Sequence, residues 1–313
     1  MKKKYILAIE TSCDDTSIAI SCNSHILSNV TLSSMSEHKK YGGIVPEIAA
    51  RSHEKNLNKC FDLAIKQAQI SKNKITHVVY TSLPGLPGSL HLGKIFAKSM
   101  VSLLNVPSIP VNHMHGHIFS FILETKPIIK YPFLSLVVSG GHTAIYLVKS
   151  INDIKTLTET TDDAIGETLD KIGRILKLSY PGGIAIDRIY SDKKTDIPMI
   201  HHFDPSKPFS FSGIKTHVLN LVNKSKMQDK KIDKVNITSS LLKWIMEEVK
   251  IKLQYYINQY PEINFLAIGG GVSANKLLRK TVTSLPIKIM MPKLKYTGDN
   301  AAMIAAYGYL LIK

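Results

Sequence analysis

Apolar and polar positions fall in two kinds of block along this chain. Tyr5–Ile9 is a short run of apolar and β-branched residues, Glu10-Thr11-Ser12-Cys13-Asp14-Asp15-Thr16 is polar and acidic, and Ile18–Ile20 is apolar again. This order predicts a β-hairpin with an acidic turn. Leu134–Val138, the turn Ser139-Gly140-Gly141-His142-Thr143 and Ala144–Val148 repeat it about 130 residues later. Two copies that far apart predict two related α/β lobes rather than a solenoid. Between them Pro46-Glu47 opens a helix, with Leu57, Phe61, Ala64, Ile65 and Ala68 at helical spacing. A strand at His77–Tyr80, a Gly/Pro loop over Pro84–Ser89, a helix at Leu90–Leu104 and a strand at Pro107–Val111 follow. The second half predicts helices at Thr161–Leu176, Ser239–Ile257, Ser273–Thr283 and Asn300–Leu311, and a buried strand at Phe265–Ile268. Asn223–Lys234 is Lys-rich without periodicity, which predicts a solvated loop. Alternating strands and helices, with a hairpin opening each half, give an α/β protein with mixed sheets.

Composition changes little of this. The 313 residues are 44% hydrophobic and 20% charged, a globular profile with length for about two domains. The formal charge of +16 raises the prospect of a nucleic-acid partner. Only Arg51, Arg174, Arg188 and Arg279 are arginines, so a Lys-rich coding bias accounts for part of the surplus. The three cysteines, Cys13, Cys22 and Cys60, form neither a disulfide framework nor a metal-type pair. Met1–Lys4 resembles the start of a signal peptide, but the apolar run behind it ends at Glu10. No apolar run approaches the length of a membrane span. A cytoplasmic protein is expected.

The strongest chemical feature is His113-Met114-His115-Gly116-His117. On a helix, His113 and His117 at i and i+4 share a face and can share a metal, while His115 points elsewhere. No Glu follows His113, so the zincin general base is missing. Capping or core-edge histidines are the competing reading, and two imidazoles need a third ligand, for which an acidic residue from elsewhere is the natural choice. Gly269-Gly270-Gly271-Val272-Ser273-Ala274-Asn275 lies between a strand and a helix, where glycines let backbone approach a nucleotide. Val138–Thr143 offers a second phosphate cradle or an ordinary hairpin turn. Pro181-Gly182-Gly183 with Asp187 could meet ribose hydroxyls or merely stop a helix. Asp170 reads as an exposed helical acid, and Asp299 in Gly298-Asp299-Asn300 as the N-cap of the last helix. Lys171, Arg174, Lys177 and Lys215 scatter charge near these segments without an aromatic RNA platform.

Taken in order, these motifs resemble the bacterial tRNA N(6)-adenosine threonylcarbamoyltransferase family, formerly described as O-sialoglycoprotein endopeptidase. The carriers are Ile9–Thr16, Tyr41–Glu47, His113–His117, Val138–Thr143, Tyr180–Gly183, Phe209–Thr216 and Gly269–Asn275, and the match runs from about Tyr5 to Leu311. The resemblance implies an actin/sugar-kinase/Hsp70-like fold of two duplicated ribonuclease H-like lobes with a cleft between them. Residues 1–128, closed by the helix at 299–313, would form the first lobe, and residues 129–298 the second, carrying the nucleotide-contacting loops. It implies a metal-dependent acyltransferase that moves the threonylcarbamoyl group from threonylcarbamoyl-AMP to N(6) of the adenosine beside the anticodon, in tRNAs reading codons that begin with A. His113, His117 and Asp299 would ligate one divalent metal, Fe2+ or Zn2+. Val137, Val138, Ser139, Gly140, Gly141, Asp170, Gly183, Asp187 and Asn275 would contact substrate or nucleotide, with Glu10, His115, Gly270 and Lys215 as secondary candidates. Implied partners are tRNA, a non-catalytic paralogue and an ATPase subunit, with no membrane.

Three departures from the family pattern stand out. His115 replaces a common Glu, Leu83 and Pro87 alter a Gly-rich loop, and Gly298 replaces a Thr. The alternatives from other classes are a metallopeptidase and a kinase-like ATP-binding regulator of the same fold. Lysines such as Lys215 are expected to matter for tRNA, and most of Lys224–Lys234 are not.

Overall fold

The computed structural model describes residues 3–123, 128–198 and 204–312. In chain order the elements are β1 (Tyr5–Glu10), β2 (Asp15–Cys22), β3 (His25–Ser33), α1 (Met35–His38), α2 (Pro46–Ala68), β4 (His77–Leu83), α3 (Pro87–Leu104), β5 (Ser108–Asn112) and α4 (His113–Phe119). Then come β6 (Phe133–Val138), β7 (Thr143–Val148), β8 (Ile154–Glu159), α5 (Ile165–Ile175), α6 (Gly182–Ile189), α7 (Ser212–Met227), α8 (Lys234–Gln259), β9 (Leu266–Gly269), α9 (Lys276–Thr283), β10 (Ile289–Met290) and α10 (Ala301–Ile312). The chain divides into two compact units, Met1–Ile129 with Pro292–Lys313, and Lys130–Met291. The return to the first unit thus comes at Pro292 rather than 299. Ala301 and Ala302 donate their N–H groups to Ser17 Oγ (2.9 Å) and Asn29 Oδ1 (3.0 Å), which ties this segment to β2 and β3.

Each unit holds one five-stranded sheet, ordered β3-β2-β1-β4-β5 in the first and β10-β9-β6-β7-β8 in the second. Read from the hairpin side, the two orders match, and so do the strand senses: three antiparallel strands, then two parallel to the first. β1 and β6 are the central strands, and every residue of Ile6–Glu10 and Phe133–Val138 is buried, as expected for a sheet covered on both faces. In the first unit α2 and α3 cover one face with Leu57, Phe61, Ala64 and Phe96. α10, apolar all round, contacts β1 and β2 and is buried from Ala301 to Gly308. In the second unit Ile165, Leu169, Val218, Leu242 and Ile245 from α5, α7 and α8 pack on β6 and β9. No helix among the described residues is long and apolar enough to cross a membrane.

Several sequence expectations need correction. α5 begins at Ile165, leaving Asp162 and Asp163 outside the helix. The 273–283 helix is broken: Gly271–Ala274 is a 3-10 turn, and Asn275 caps α9 by accepting Leu278 N–H at 3.0 Å. Asn223–Lys234 is a loop only over 228–233, because α7 continues to Met227 and α8 starts at Lys234. The inward face of α7 runs on through Val222 and Ser225, and the Ser225 hydroxyl answers the Leu221 carbonyl at 2.9 Å, so a polar residue hides the periodicity. The last helix is capped by Asn300, which accepts Met303 N–H at 3.1 Å, rather than by Asp299.

Candidate functional site

β1, α4 and the start of α10 bring one cluster together in the first unit. The Asn112 side chain accepts Met114 N–H at 2.7 Å and starts α4 at the edge of β5. His113 and His117 then fall on one face, their rings 4.6 Å apart and nearly perpendicular. Gly116 allows this helix to lie against α10, since a Cβ there would stand 2.9 Å from Ile304 Cδ1. Asp299 Oδ1 lies 3.1 Å from His117 Nε2 and 3.6 Å from His113 Nε2, and one ligand atom from each of the three residues lies within 4.8 Å of the others. His115 is directed away, toward Tyr307 Oη at 2.9 Å, so it is not a further ligand here.

Glu10 orients the first imidazole. Its Oε2 meets His113 Nδ1 at 3.0 Å and accepts the Thr81 hydroxyl at 2.5 Å, while Oε1 accepts Ser12 N–H at 2.6 Å. With Glu10 behind Nδ1, His113 turns Nε2 toward Asp299, the orientation that metal-binding histidines adopt. His117 Nδ1 has no hydrogen-bond partner among the described residues, and the second ring is held through Nε2, 3.1 Å from Asp299 Oδ1. Burial opposes ionisation of Glu10, but His113 outweighs it and the carboxyl stays below its usual range. Burial also opposes charge on His113, yet Glu10 and Asp299 raise it to about 9. His117 is held low by burial.

The sequence reading passed over Asp14 and Asp15 as candidates. Burial first, and then the charge of Asp299, raises Asp14. Asp15 rises to about 6 through burial and the charges of Asp14, Asp299 and Glu10, and its Oδ1 is buried without a partner among the described residues. Four carboxylates thus repel one another around two imidazoles. The donor set of two imidazole nitrogens and one carboxylate, with one imidazole fixed by a carboxylate behind it, suits a divalent transition metal. A cation would relieve the repulsion that His113 otherwise meets with a proton.

The acidic turn is latched from behind by two buried histidines, also overlooked in the sequence. The Cys13 carbonyl accepts from His53 Nε2 (3.0 Å) and Ser89 Oγ (3.2 Å), and His53 Nδ1 meets Thr16 Oγ1 at 2.8 Å. The Asp14 carbonyl accepts Ser34 Oγ at 2.7 Å; Ser34 Oγ meets His38 Nε2 at 3.0 Å, and Val45 N–H donates to His38 Nδ1 at 3.2 Å. His53 sits between Ala49 and Leu57 on the apolar stripe of α2, so a histidine on an inward face was the available signal. The altered 82–88 loop docks here too: Leu86 N–H donates to Ser12 O at 2.8 Å and Pro87 begins α3, where proline fits. Gly298 leaves open space at its missing Cβ.

A second site lies wholly within the second unit. A cavity of about 440 Å³ is lined by Gly140, Asp170, Gly183, Asp187 and Asn275, all expected contacts, together with Arg188 and Lys276. Gly166, Gly183 and Lys276 bring the N-terminal turns of α5, α6 and α9 to this space, where N–H groups and helix dipoles favour an anion. The two acids already have backbone partners. Asp170 accepts Gly182 N–H (2.7 Å) and Gly183 N–H (3.3 Å), and Asp187 accepts Lys276 N–H (3.1 Å). Burial nonetheless raises Asp170. Val137 and Val138 are wholly buried in β6, and Ser139, Gly141, Gly270 and Lys215 do not line the cavity either. Gly270 acts from behind: its φ is +89°, and a Cβ there would collide with the Val138 carbonyl.

Comparison with known proteins gives one consistent result. The family profile for TsaD, tRNA N6-adenosine threonylcarbamoyltransferase, matches residues 25–306. A protein of that name from Ureaplasma parvum serovar 3 is 47% identical over 308 residues, 98% of this chain and 95% of the relative. One from Thermosipho africanus is 44% identical over 315 residues, 98% of this chain and 94% of the relative. Among solved structures, HypF of T. kodakarensis has a TM-score of 0.64 at 12% identity, covering 100% of this chain and 48% of that one. Component A of the Acidaminococcus fermentans (R)-2-hydroxyglutaryl-CoA dehydratase has 0.57 at 13%, covering 99% and 97%. At such identities the two structures speak for the fold alone.

Proposed function

Because the chain belongs to the TsaD family of tRNA N6-adenosine threonylcarbamoyltransferases, we propose that it makes threonylcarbamoyladenosine in tRNA. The adenosine N(6) attacks the carbamoyl carbon of threonylcarbamoyl-AMP; the C–N bond forms, the bond to the phosphate oxygen breaks, AMP leaves, and N(6) gives up a proton. The adenosine is the one beside the anticodon in tRNAs that read codons beginning with A. The two matching sheets support the finer reading of duplicated ribonuclease H-like lobes. The partners would be tRNA, a non-catalytic paralogue and an ATPase subunit, and the setting the cytoplasm.

The observation that carries this reading is the convergence of His113, His117 and Asp299 with Glu10 behind them. These three residues would hold Fe2+ or Zn2+. When bound, such a metal would supply the positive charge that eases loss of a phosphate leaving group. Glu10 holds the Nδ1 proton of His113, so Nε2 is the atom that would give up its proton when a metal binds. Arg188 and Lys276 line the second unit's cavity as cations for the AMP phosphate, and Asp170 and Asp187 hold the turns of Gly183 and Lys276 in place by accepting their N–H groups. Apolar Ile184 and Val272 in the same wall offer a surface for the adenine. Since AMP is a good leaving group, positioning supplies much of the catalysis. The test is reconstitution with threonylcarbamoyl-AMP, tRNA and the partner proteins, followed by mass spectrometry of the nucleosides and metal analysis. The wild type forms the modified nucleoside and a His113→Ala/His117→Ala protein does not; full activity in that metal-free protein would end the proposal.

A further inference from the structure

The short helix α4 presents two pairs of side chains on two flanks. At 100° per residue, His113 and His117 lie about 40° apart, His115 and Phe119 lie about 40° apart on roughly the opposite side, and Gly116 falls between the pairs. The segment 299–307 meets these positions in order. Just before α10, Asp299 Oδ1 stands 3.1 Å from His117 Nε2 and 3.6 Å from His113 Nε2. About one turn on, Met303 and Ile304 lie against Gly116, where a Cβ would stand 3.2 Å from Met303 Cγ and 2.9 Å from Ile304 Cδ1. Further along, Tyr307 Oη lies 2.9 Å from His115 Nδ1, and the two rings meet edge to face with centroids 5.2 Å apart. The same tyrosine ring stacks on Phe119, 5.3 Å away and 18° from parallel. α10 therefore crosses α4 at Gly116. The three candidate metal ligands lie on one flank of the crossing, and a grip of His115 and Phe119 on one tyrosine lies on the other.

This crossing has the form of a pivot. Glycine offers no side chain to fix the angle, and the apolar contacts beside it are non-directional, so they set the approach of the two helices more than their orientation. Tyr307 is three to four residues past the crossing and Asp299 four to five before it, which makes the two arms similar in length. A swing at the tyrosine end reappears at the Asp299 end with similar amplitude. The contact from His115 to Tyr307 resists that swing because a hydrogen bond is directional. Tyr307 is 5% exposed and Phe119 is wholly buried, so water is a poor substitute for the grip. An apolar pair of the same shape would give the seam much the same stability; what the polar pair adds is direction.

We infer that His115, acting through Tyr307, is the positioning residue that sets the crossing angle of α4 and α10, and with it the distance of Asp299 from His113 and His117. The inference rests on the metal site proposed above and adds to it a residue outside the ligand set.

The test compares the full-length wild type with Tyr307→Phe, which removes the hydroxyl and keeps the ring, with His115→Leu, with the double variant, and with His115→Asn, which keeps a polar atom at the δ position. Tyr256→Phe is the control, since it removes a hydroxyl that donates to the Leu157 carbonyl at 3.3 Å in the second unit. Zn2+ affinity is measured by competition with a chromophoric chelator, the visible bands of bound Co2+ report ligand geometry, and urea unfolding of the metal-free proteins reports the fold. Tyr307→Phe and His115→Leu should each lower Zn2+ affinity about fivefold, the scale of one neutral hydrogen bond, and shift the Co2+ bands. The double variant should be no weaker than the weaker single one, and His115→Asn should recover most of the affinity. Tyr256→Phe should keep the wild-type affinity and bands even where it unfolds at lower urea. A merely structural contact would move the urea midpoint alone. Unchanged affinity and bands in the α4 and α10 variants, losses that add in the double variant, or an equal loss in Tyr256→Phe would each overturn the inference. Wild type that binds Zn2+ while the variants match it removes this inference and leaves the metal site standing; wild type that takes up no Zn2+ removes the metal site, and this inference with it.

Discussion

Glu10→Gln removes one charge at the same shape, and the outcome can be worked from three contacts. In the native cluster Oε1 accepts Ser12 N–H at 2.6 Å, while Oε2 accepts Thr81 Oγ1 and faces His113 Nδ1 at 3.0 Å. A Gln that keeps its oxygen on Ser12 turns its NH2 toward His113. The Ser12 hydroxyl, 3.1 Å away, is then the acceptor left to the Nδ1 proton, and the tautomer with its proton on Nε2, the atom that faces Asp299, is favoured. The opposite amide rotamer sets NH2 against Ser12 N–H, two donors in a buried space. In either case metal binding must hold the Nδ1 proton against a facing amide donor or leave a buried donor unpaired, costing about 1–3 kcal/mol. Taking about 2 kcal/mol, affinity falls ~30-fold, inside the range of about 10–100-fold usual for residues behind a metal ligand. The assay is competition for Zn2+ against a chromophoric chelator, with a thermal melt as a check on folding. A folded Glu10→Gln protein within about threefold of wild-type affinity would refute the claim that Glu10 sets the His113 tautomer.

Two further outcomes follow from packing and burial. Gly116→Ala puts a Cβ 2.9 Å from Ile304 Cδ1 and 3.2 Å from Met303 Cγ; it should cost about 1–3 kcal/mol in urea unfolding and weaken Zn2+ binding, because α10 is the helix that follows Asp299. Burial pushes Glu248 up to about 7, with Lys252 opposing and Asp162 adding. A raised carboxyl contributes its full stability below about pH 4.5 and loses it as pH rises through about 7, a fall of at most about 3 kcal/mol. Glu248→Gln should therefore lose less stability than wild type between pH 5 and 8; an identical pH dependence in the two proteins would count against this.

Much of the architecture was legible because apolar periodicity is a local property. The runs at Tyr5–Ile9 and Leu134–Val138 are buried on both faces, and buried strands read as continuous apolar blocks. β3 and β8 were missed because they alternate polar and apolar residues at the sheet margins, where propensity is weakest. The end of α7 was lost because its inward position is Ser225. Asp299 was assigned to a cap because Asp and Asn cap equally well, and only the contact from Asn300 to Met303 N–H decides which one does.

The site was legible in its ligands and hidden in its supports. His113 and His117 announce themselves by spacing, since four residues on a helix is one turn. Nothing local announces that Glu10, more than a hundred residues earlier, reaches Nδ1, or that His53 and His38 hold the turn bearing Asp14 and Asp15. Yet those supports argue most strongly for function. A protein selected for stability alone gains nothing by gathering Glu10, Asp14, Asp15 and Asp299, because each raises the cost of ionising its neighbours. The turn stays there because paired hydrogen bonds to the Cys13 and Asp14 carbonyls restrain it from behind. Repulsion held in place by dedicated restraints is what a cation site looks like before the cation is counted. It follows that loosening the restraint should stabilise the cation-free fold less than it weakens the bound one, so the supports and the metal must be tested together.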